Sequence, residues 1–229
     1  RTAGRGILEF STTPGPLSFV AMTMLQINRE KYMKEAVDIG DIILSMQDSE
    51  GGIHDGDREP TKIHTEPHMD AYDVFIMLYT LTGDEKWKEA AYKCYAWFTK
   101  NVFFPDEGII WQGAWDGTLH KVLAEDSYSW PMAGLAGDSM SLDALKKTTE
   151  YWLSRCLSRV TVNLPDETIR TLTLVDFTDS SDLDCLEVRS GKHAMGTIEW
   201  TGGAILALQK NAVRCWKAGD KKTASFYKA

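Results

Sequence analysis

The chain repeats one unit along most of its length, and a repeat constrains a fold more tightly than any single motif. "LTGDEKWKEAAYKCYAWF" begins at Leu81 and "GLAGDSMSLDALKKTTEYWL" begins at Gly134, each with a Gly-Asp pair ahead of a half-polar run. Upstream, "INREKYMKEAVDIGDIIL" matches the first of these, with Glu30-Lys31 in the place of Glu85-Lys86. Downstream, "KAGDKKTASFYKA" carries another Gly-Asp at Gly219-Asp220. Each run follows a mostly apolar one: "PLSFVAMTMLQI", "AYDVFIMLYTL", "SYSWPMAGL" and "GGAILALQKNAVRCW". In "DEKWKEAAYKCYAWF", Trp87, Ala91, Cys94, Tyr95 and Phe98 recur at helical spacing among lysines and glutamates, which marks a helix with one buried face. In the turn, glycine can end the first helix and aspartate can cap the second. Four helical hairpins are expected, with an apolar first helix and a half-polar second. An inner ring of buried helices inside an outer ring satisfies that difference, each hairpin covering its neighbour.

The returning segments have a grammar of their own. In "MQDSEGGIHDGDREP" (residues 46–60), Gly51-Gly52 turns the chain back and Ile53 anchors it, and "PDEGIIW" at 105–111 repeats the device. The stretch 159–188 breaks the rhythm. "RVTVNLPDETIRTLTLVDF" alternates β-branched residues on either side of Pro165-Asp166, so a small β-hairpin insertion is expected there. Cys94, Cys156, Cys185 and Cys215 show no Cys-x-x-Cys spacing and are expected to be buried free thiols. One domain over residues 1–229 accounts for the whole pattern.

A net charge of −8 argues against nucleic acid or an anionic membrane as partner. No apolar run is long enough for a membrane-spanning helix, and the opening "RTAGRGILEF" lacks the apolar core of a signal peptide. A soluble protein is expected, with the compartment left open between secreted, periplasmic and cytoplasmic. Gly-x-Gly-x-x-Gly, P-loop and Gly-x-Ser-x-Gly patterns are missing, so nucleotide, flavin and serine-hydrolase chemistry lack support and no cofactor is expected.

The pattern "apolar helix, TGDEKW, amphipathic helix, D-x-x-G-G-I" resembles the α/α toroid enzymes: unsaturated glucuronyl hydrolases, other glycoside hydrolases, polysaccharide lyases and uronyl epimerases. The resemblance covers about two-thirds of the chain and implies an architecture more than a family. Such toroids usually have six or seven hairpins. Four here imply a mostly α fold that is an incomplete or reduced toroid. An open arc exposes apolar inner helices, so a homo-oligomer or an additional segment completing the ring is expected.

In a toroid the loops leading into the inner helices open onto one end of the barrel, and three of them are rich in reactive or aromatic side chains. "DREPTKIHTEPHMDAYDVF" gathers His64, Glu66, His68, Asp70 and Asp73. Two carboxylates and a histidine can divide acid and base roles if their surroundings separate their pKa values. An acidic first helical turn with solvated histidines is the alternative. His64 and His68 have the spacing of a zinc pair only if both lie on one helix, which Pro67 opposes, so no metal is assigned. "DEGIIWQGAWDGTLHKVLAEDSYSW" crowds Trp115, Tyr128 and Trp130 with Glu125 and Asp126. Aromatic faces can stack on sugar rings while carboxylates bond the hydroxyls; the alternative is a loop stapled to the core. "EVRSGKHAMGTIEWTGGAIL" holds the densest basic cluster, Arg189, Lys192 and His193, before Glu199 and Trp200. That cluster suits a uronate carboxylate, or is a solvated loop.

The reading is a carbohydrate-active protein working on an oligo- or polysaccharide that includes uronate, by hydrolysis or elimination. Asp70, His68, Glu125, Asp126 and Glu199 are the acid and base candidates. Trp115, Trp130, Trp200, Tyr128, Arg189, Lys192 and His193 are the binding candidates. The alternative is a non-catalytic carbohydrate-binding or protein-interaction module on the same scaffold.

Overall fold

The computed structural model describes residues 12–56, 59–179 and 196–228. Arg189, Lys192, His193 and Cys185 lie outside them.

The expected hairpins are present, each with its own turn chemistry. Helix α1 (Pro14–Leu44) is broken at Asn28, where φ is −160° and ψ is 87°. The Asn28 side chain accepts the Lys31 N–H at 3.0 Å and so caps the second half. Gly15 lies against Pro67, Gly40 lies against Leu78 and Trp87, and the Ile53 N–H comes back to His68. The first half of α1 therefore runs alongside α2 (Thr65–Thr82), and the second half returns. Between α2 and α3 (Glu85–Asn101), Gly83 takes a left-handed φ of 71° and Asp84 accepts the Lys86 N–H at 3.0 Å. Between α7 (Ile198–Lys217) and α8 (Lys221–Lys228), Gly219 has a φ of 85° and Asp220 accepts the Thr223 N–H at 3.1 Å.

The third hairpin departs from the expectation. Gly134, not Gly137, ends α4 (Asp126–Ala133), and Ser141, not Asp138, caps α6 (Leu142–Cys156) through the Ala144 N–H. The Gly137-Asp138 pair sits inside a short helix, α5 (Ala136–Ser139). Tertiary contacts override the local signal there. Asp73 accepts the Leu135 N–H at 2.9 Å, and Asp138 accepts the Arg214 Nε–H at 2.8 Å.

The first half of α1, then α2, α4 and α7, pack side by side as an inner arc, with the second half of α1 and α3, α6 and α8 outside it. Outer-helix tryptophans plug the layers together: Trp87 stacks on Phe75 at 5.7 Å, and Trp152 stacks on Tyr128 at 6.3 Å. Both indoles are fully buried, and truncating either should cost about 3–5 kcal/mol. The first and last inner helices show apolar side chains to solvent, Phe19 and Ile27 on α1 and Ile205, Leu206 and Val213 on α7. No helix among the described residues is long and apolar enough to cross a membrane.

The returning loops use one repeated contact. Gly51 has a φ of 100°, and a Cβ there would run into the Lys93 carbonyl of α3. Gly108 has a φ of 72°, and its Cβ would run into the Lys147 carbonyl of α6. Two residues later in each loop, Ile53 and Ile110 are fully buried. Gln47 bridges to Ile53, and β2 (Phe103–Phe104) pairs with β3 (Ile109–Ile110). The outer helices α3 and α6 are thus each fastened by the loop of the preceding unit.

Strands β1 (Lys62–His64), β4 (Gly113–Trp115) and β5 (Thr118–His120) form a small antiparallel sheet, with His64 opposite Gly113 and Gly113 opposite His120. The insertion is the expected hairpin, β6 (Leu157–Asn163) against β7 (Ile169–Val175), mostly exposed on both faces. Cys94, Cys156 and Cys215 are buried and free.

Candidate active site

The inner helices begin at one end of the arc, and their first turns meet there. Thr13 to Pro16 from the start of α1, and Glu66 and Pro67 from the start of α2, line a cleft of about 760 Å³ with Phe19, Asp55, Glu59 and His64. Asp126, the first residue of α4, is close enough to raise the pKa of Glu66, and Glu199 in the first turn of α7 raises that of Asp126. Four helix N-termini therefore face one region. Their unpaired N–H groups and dipoles favour carboxylates there.

Along α2, Glu66, Asp70 and Asp73 are spaced four and three residues apart and share one face. The stripe descends from the cleft between α2 and α4, where Asp73 ends by capping Leu135. Asp70 is 6 % exposed, and its Oδ2 has no hydrogen-bond partner. A buried carboxyl oxygen in that state is costly unless the group is protonated or a ligand meets it.

The electrostatics separate these groups. Burial, then the charges of Asp126 and Asp55, raise Glu66 to about 7, against the opposing effects of His64 and a Trp130 hydrogen bond. Burial raises Asp126 less, to about 6, because the Ser127 N–H and His64 favour its ionised form. Burial raises Glu125 to about 8, with help from Asp126, Glu199 and Glu66. Burial, then Glu66, Asp73 and Asp126, raise Asp70 well above its ordinary value. His64 runs the other way: burial lowers its pKa, but Asp55 outweighs that through a hydrogen bond and its charge, and the net shift is upward. Asp55 and His64 pair through their side chains at the cleft wall, and the pairing favours the protonated imidazole.

Phe19 lines the cleft, and several further aromatic rings lie on the elements that lead to it or away from it. Trp130 meets Phe19 edge to face, with centroids 6.0 Å apart. Trp115 has one face covered by His120, and the Lys62 ammonium lies 5.0 Å from the ring centroid. His64 approaches the Trp115 edge at 5.4 Å. Trp200 packs on Phe177 at 4.8 Å.

Of the candidate acids and bases, Asp70, Glu125 and Glu199 lie within electrostatic range of Asp126, and Trp130 hydrogen-bonds Glu66. His68 is to be corrected. It is fully buried; its Nδ1 accepts the Ile53 N–H at 3.1 Å, and its Nε2 donates to the Cys94 carbonyl at 2.9 Å. Burial lowers its pKa to about 4, so it is a neutral clamp between the returning loop and α3. Tyr128 is to be corrected too. It is fully buried and accepts the Ile110 N–H at 3.0 Å, so no sugar can stack on it. Glu66 and the Asp55–His64 dyad were not selected from sequence. Glu66 had a signal, four residues before Asp70 on the same helix. The dyad had none, because only the loop's return path joins its members.

No family model matches the chain, and no curated protein does. Solved structures do. A family 105 glycoside hydrolase from C. acetobutylicum superposes with a TM-score of 0.61 at 13% identity, over 92% of this chain and 60% of that one. An unsaturated glucuronyl hydrolase from Streptococcus agalactiae gives 0.61 at 16% identity, over 94% and 56%. An α-1,6-mannanase from Salegentibacter, in an inactive variant with two consecutive aspartates changed to asparagine and α-1,6-mannotriose bound, gives 0.59 at 13%, over 96% and 62%. The fold is thus that of the α/α toroid carbohydrate-active enzymes, and the chain spans roughly three-fifths of the length of these neighbours.

Proposed function

We propose that the cleft hydrolyses a glycosidic bond in an oligosaccharide, with Glu66 as general acid and Asp126 as its ionised partner. The observation that carries this is a cleft-lining carboxyl, Glu66, within electrostatic range of a second, Asp126, the two pushed by their surroundings to about 7 and about 6. Glycoside hydrolysis needs that division: one carboxylic acid protonates the leaving oxygen, and one carboxylate either directs water or attacks the anomeric carbon, as the gap between them dictates. His64, whose protonated form Asp55 favours, supports the ionised state of Asp126. Glu125, raised to about 8, keeps its proton at neutral pH, and burial pushes Asp70 toward its protonated form; both are read as hydrogen-bonding partners of sugar hydroxyls. Trp130 offers the cleft an aromatic surface. Glu125-Asp126 is also a consecutive acidic pair, of the kind altered in the inactive mannanase variant.

A uronate substrate is the finer form of this reading. Its candidate carboxylate partners from the sequence, Arg189, Lys192 and His193, lie outside the described residues. A non-catalytic module fits less well, because binding alone gives no reason for two carboxyl groups to be poised on either side of neutral pH.

The test is the pH profile of reducing-end release from whichever oligosaccharide the protein cleaves. The reading expects a bell, with an acid limb near 6 from Asp126 and an alkaline limb near 7 from Glu66. A product absorbing in the ultraviolet as an unsaturated uronate would replace hydrolysis by elimination. A profile flat from pH 5 to 8 would remove both residues from the chemistry.

A further inference from the structure

We infer that α7 docks against α7 of a second copy of this chain, side by side and antiparallel, in a weak two-fold dimer. The argument begins with the outward side of the helix. α4 packs along one side of α7, and α6 and α8 also pack against it. On the outward side Ile198, Ile205, Leu206, Val213 and Trp216 are exposed. At about 100° per residue these five fall within a stripe about 100° wide that runs the length of the helix. A continuous apolar stripe open to water marks an interaction surface, and its pattern decides what fits it.

The pattern is complementary to itself when reversed. Set antiparallel, with Ile198 opposite the partner's Trp216, the two stripes coincide from end to end. The same register sets Gly202 opposite the partner's Val213. Gly202 has open space where a side chain would stand, so the partner's valine is a knob entering a hole. The register also sets Glu199 opposite the partner's Lys217. Both lie on one flank of the stripe, and a two-fold axis perpendicular to the plane of the two helices keeps that flank on one side of the pair. Among the described residues neither has an ion-pair partner. Lys210 shares the flank nearer the axis; it is exposed, and its amine extends into solvent. Parallel packing gains none of these three pairings and sets the helix dipoles in the same direction. The surface is modest. A helix of 20 residues offers roughly 30 Å by 10 Å, less than the roughly 800 Å² per partner of a standard interface, so the dimer is a micromolar one.

Sedimentation equilibrium from about 1 to about 200 μM, the range over which a weak interface assembles, tests this. Wild type should pass from monomer to dimer. Val213→Glu puts a charge in the stripe and should weaken the dimer at least about 100-fold. Gly202→Leu favours the helix of the monomer but fills the hole, so it should raise the melting temperature of dilute protein while weakening association. Glu199→Lys and Lys217→Glu should each weaken the dimer about threefold or more, and the double variant should recover most of the loss. All four side chains are exposed, so each variant should fold. A monomer at every concentration leaves the stripe for a different polypeptide and overturns the inference. So does a dimer indifferent to Val213→Glu, a double variant no better than the single ones, or the higher oligomers that contacts between α1 and α7 would build.

Discussion

Replacing Glu66 by glutamine should stabilise the protein at alkaline pH and leave it unchanged in acid. Glu66 is raised from an ordinary 4.5 to about 7 in the fold, first by burial. A carboxyl with a raised folded pKa binds its proton more tightly in the native than in the unfolded state. Its contribution is therefore full below pH 4.5 and is lost as pH rises through 7. At about 1.4 kcal/mol for each tenfold change in proton affinity, the loss amounts to at most about 3 kcal/mol, since part of the group stays in contact with water. Glutamine has no proton to lose and can still accept from Trp130. Urea unfolding, followed by tryptophan fluorescence, should show the variant equal to wild type at pH 4 and up to about 3 kcal/mol more stable at pH 8. Glycoside cleavage should collapse at the same time. A variant equally offset at both pH values, or less stable at pH 8, would refute the claim that Glu66 is held against its charge.

Other residues give separate checks. His68→Leu removes the partner of a buried N–H and of a buried carbonyl, so it should cost about 2–5 kcal/mol in denaturant unfolding, while activity per folded molecule is retained. Gly51→Ala and Gly108→Ala should each cost at least about 1–3 kcal/mol, since both need a left-handed backbone and sit on a neighbouring helix's carbonyl; matching losses in melting temperature would support the repeated fastening. His64→Gln removes the cation that favours ionised Asp126, so the acid limb of the pH–rate profile should move to higher pH, and an unmoved limb would detach His64 from the site.

The architecture was legible because it rests on local patterns repeated often enough to reinforce one another. Trp87, Cys94 and Phe98 at helical spacing, Gly83 beside Asp84 and the paired Gly-x-Ile returns each have a short-range cause, and each is found in place. Gly137-Asp138 misled because the segment was pinned by contacts from distant parts of the chain, Asp73 holding the Leu135 N–H and Arg214 holding Asp138. The site was legible in its composition and not in its geometry. The cluster of acids around Asp70 and Asp126 could be read from the loops leading into helices. Whether His68 faced solvent, the cleft or the core could not be read from its neighbours in sequence, because its partners are Ile53 and Cys94. The same holds for Tyr128, whose ring is enclosed by Trp152 and Tyr151 of α6.

The central claim is that the carboxyl groups where the inner helices begin perform glycosidic cleavage. The most direct measurement compares wild type and Asp126→Asn side by side for reducing-end release from neutral and uronate oligosaccharides, with binding of each followed in parallel. The account predicts cleavage by wild type, a fall of about 100-fold or more in the variant, and undiminished binding. A variant that cleaves as fast as wild type, or a wild type that binds these sugars without cleaving any, contradicts it.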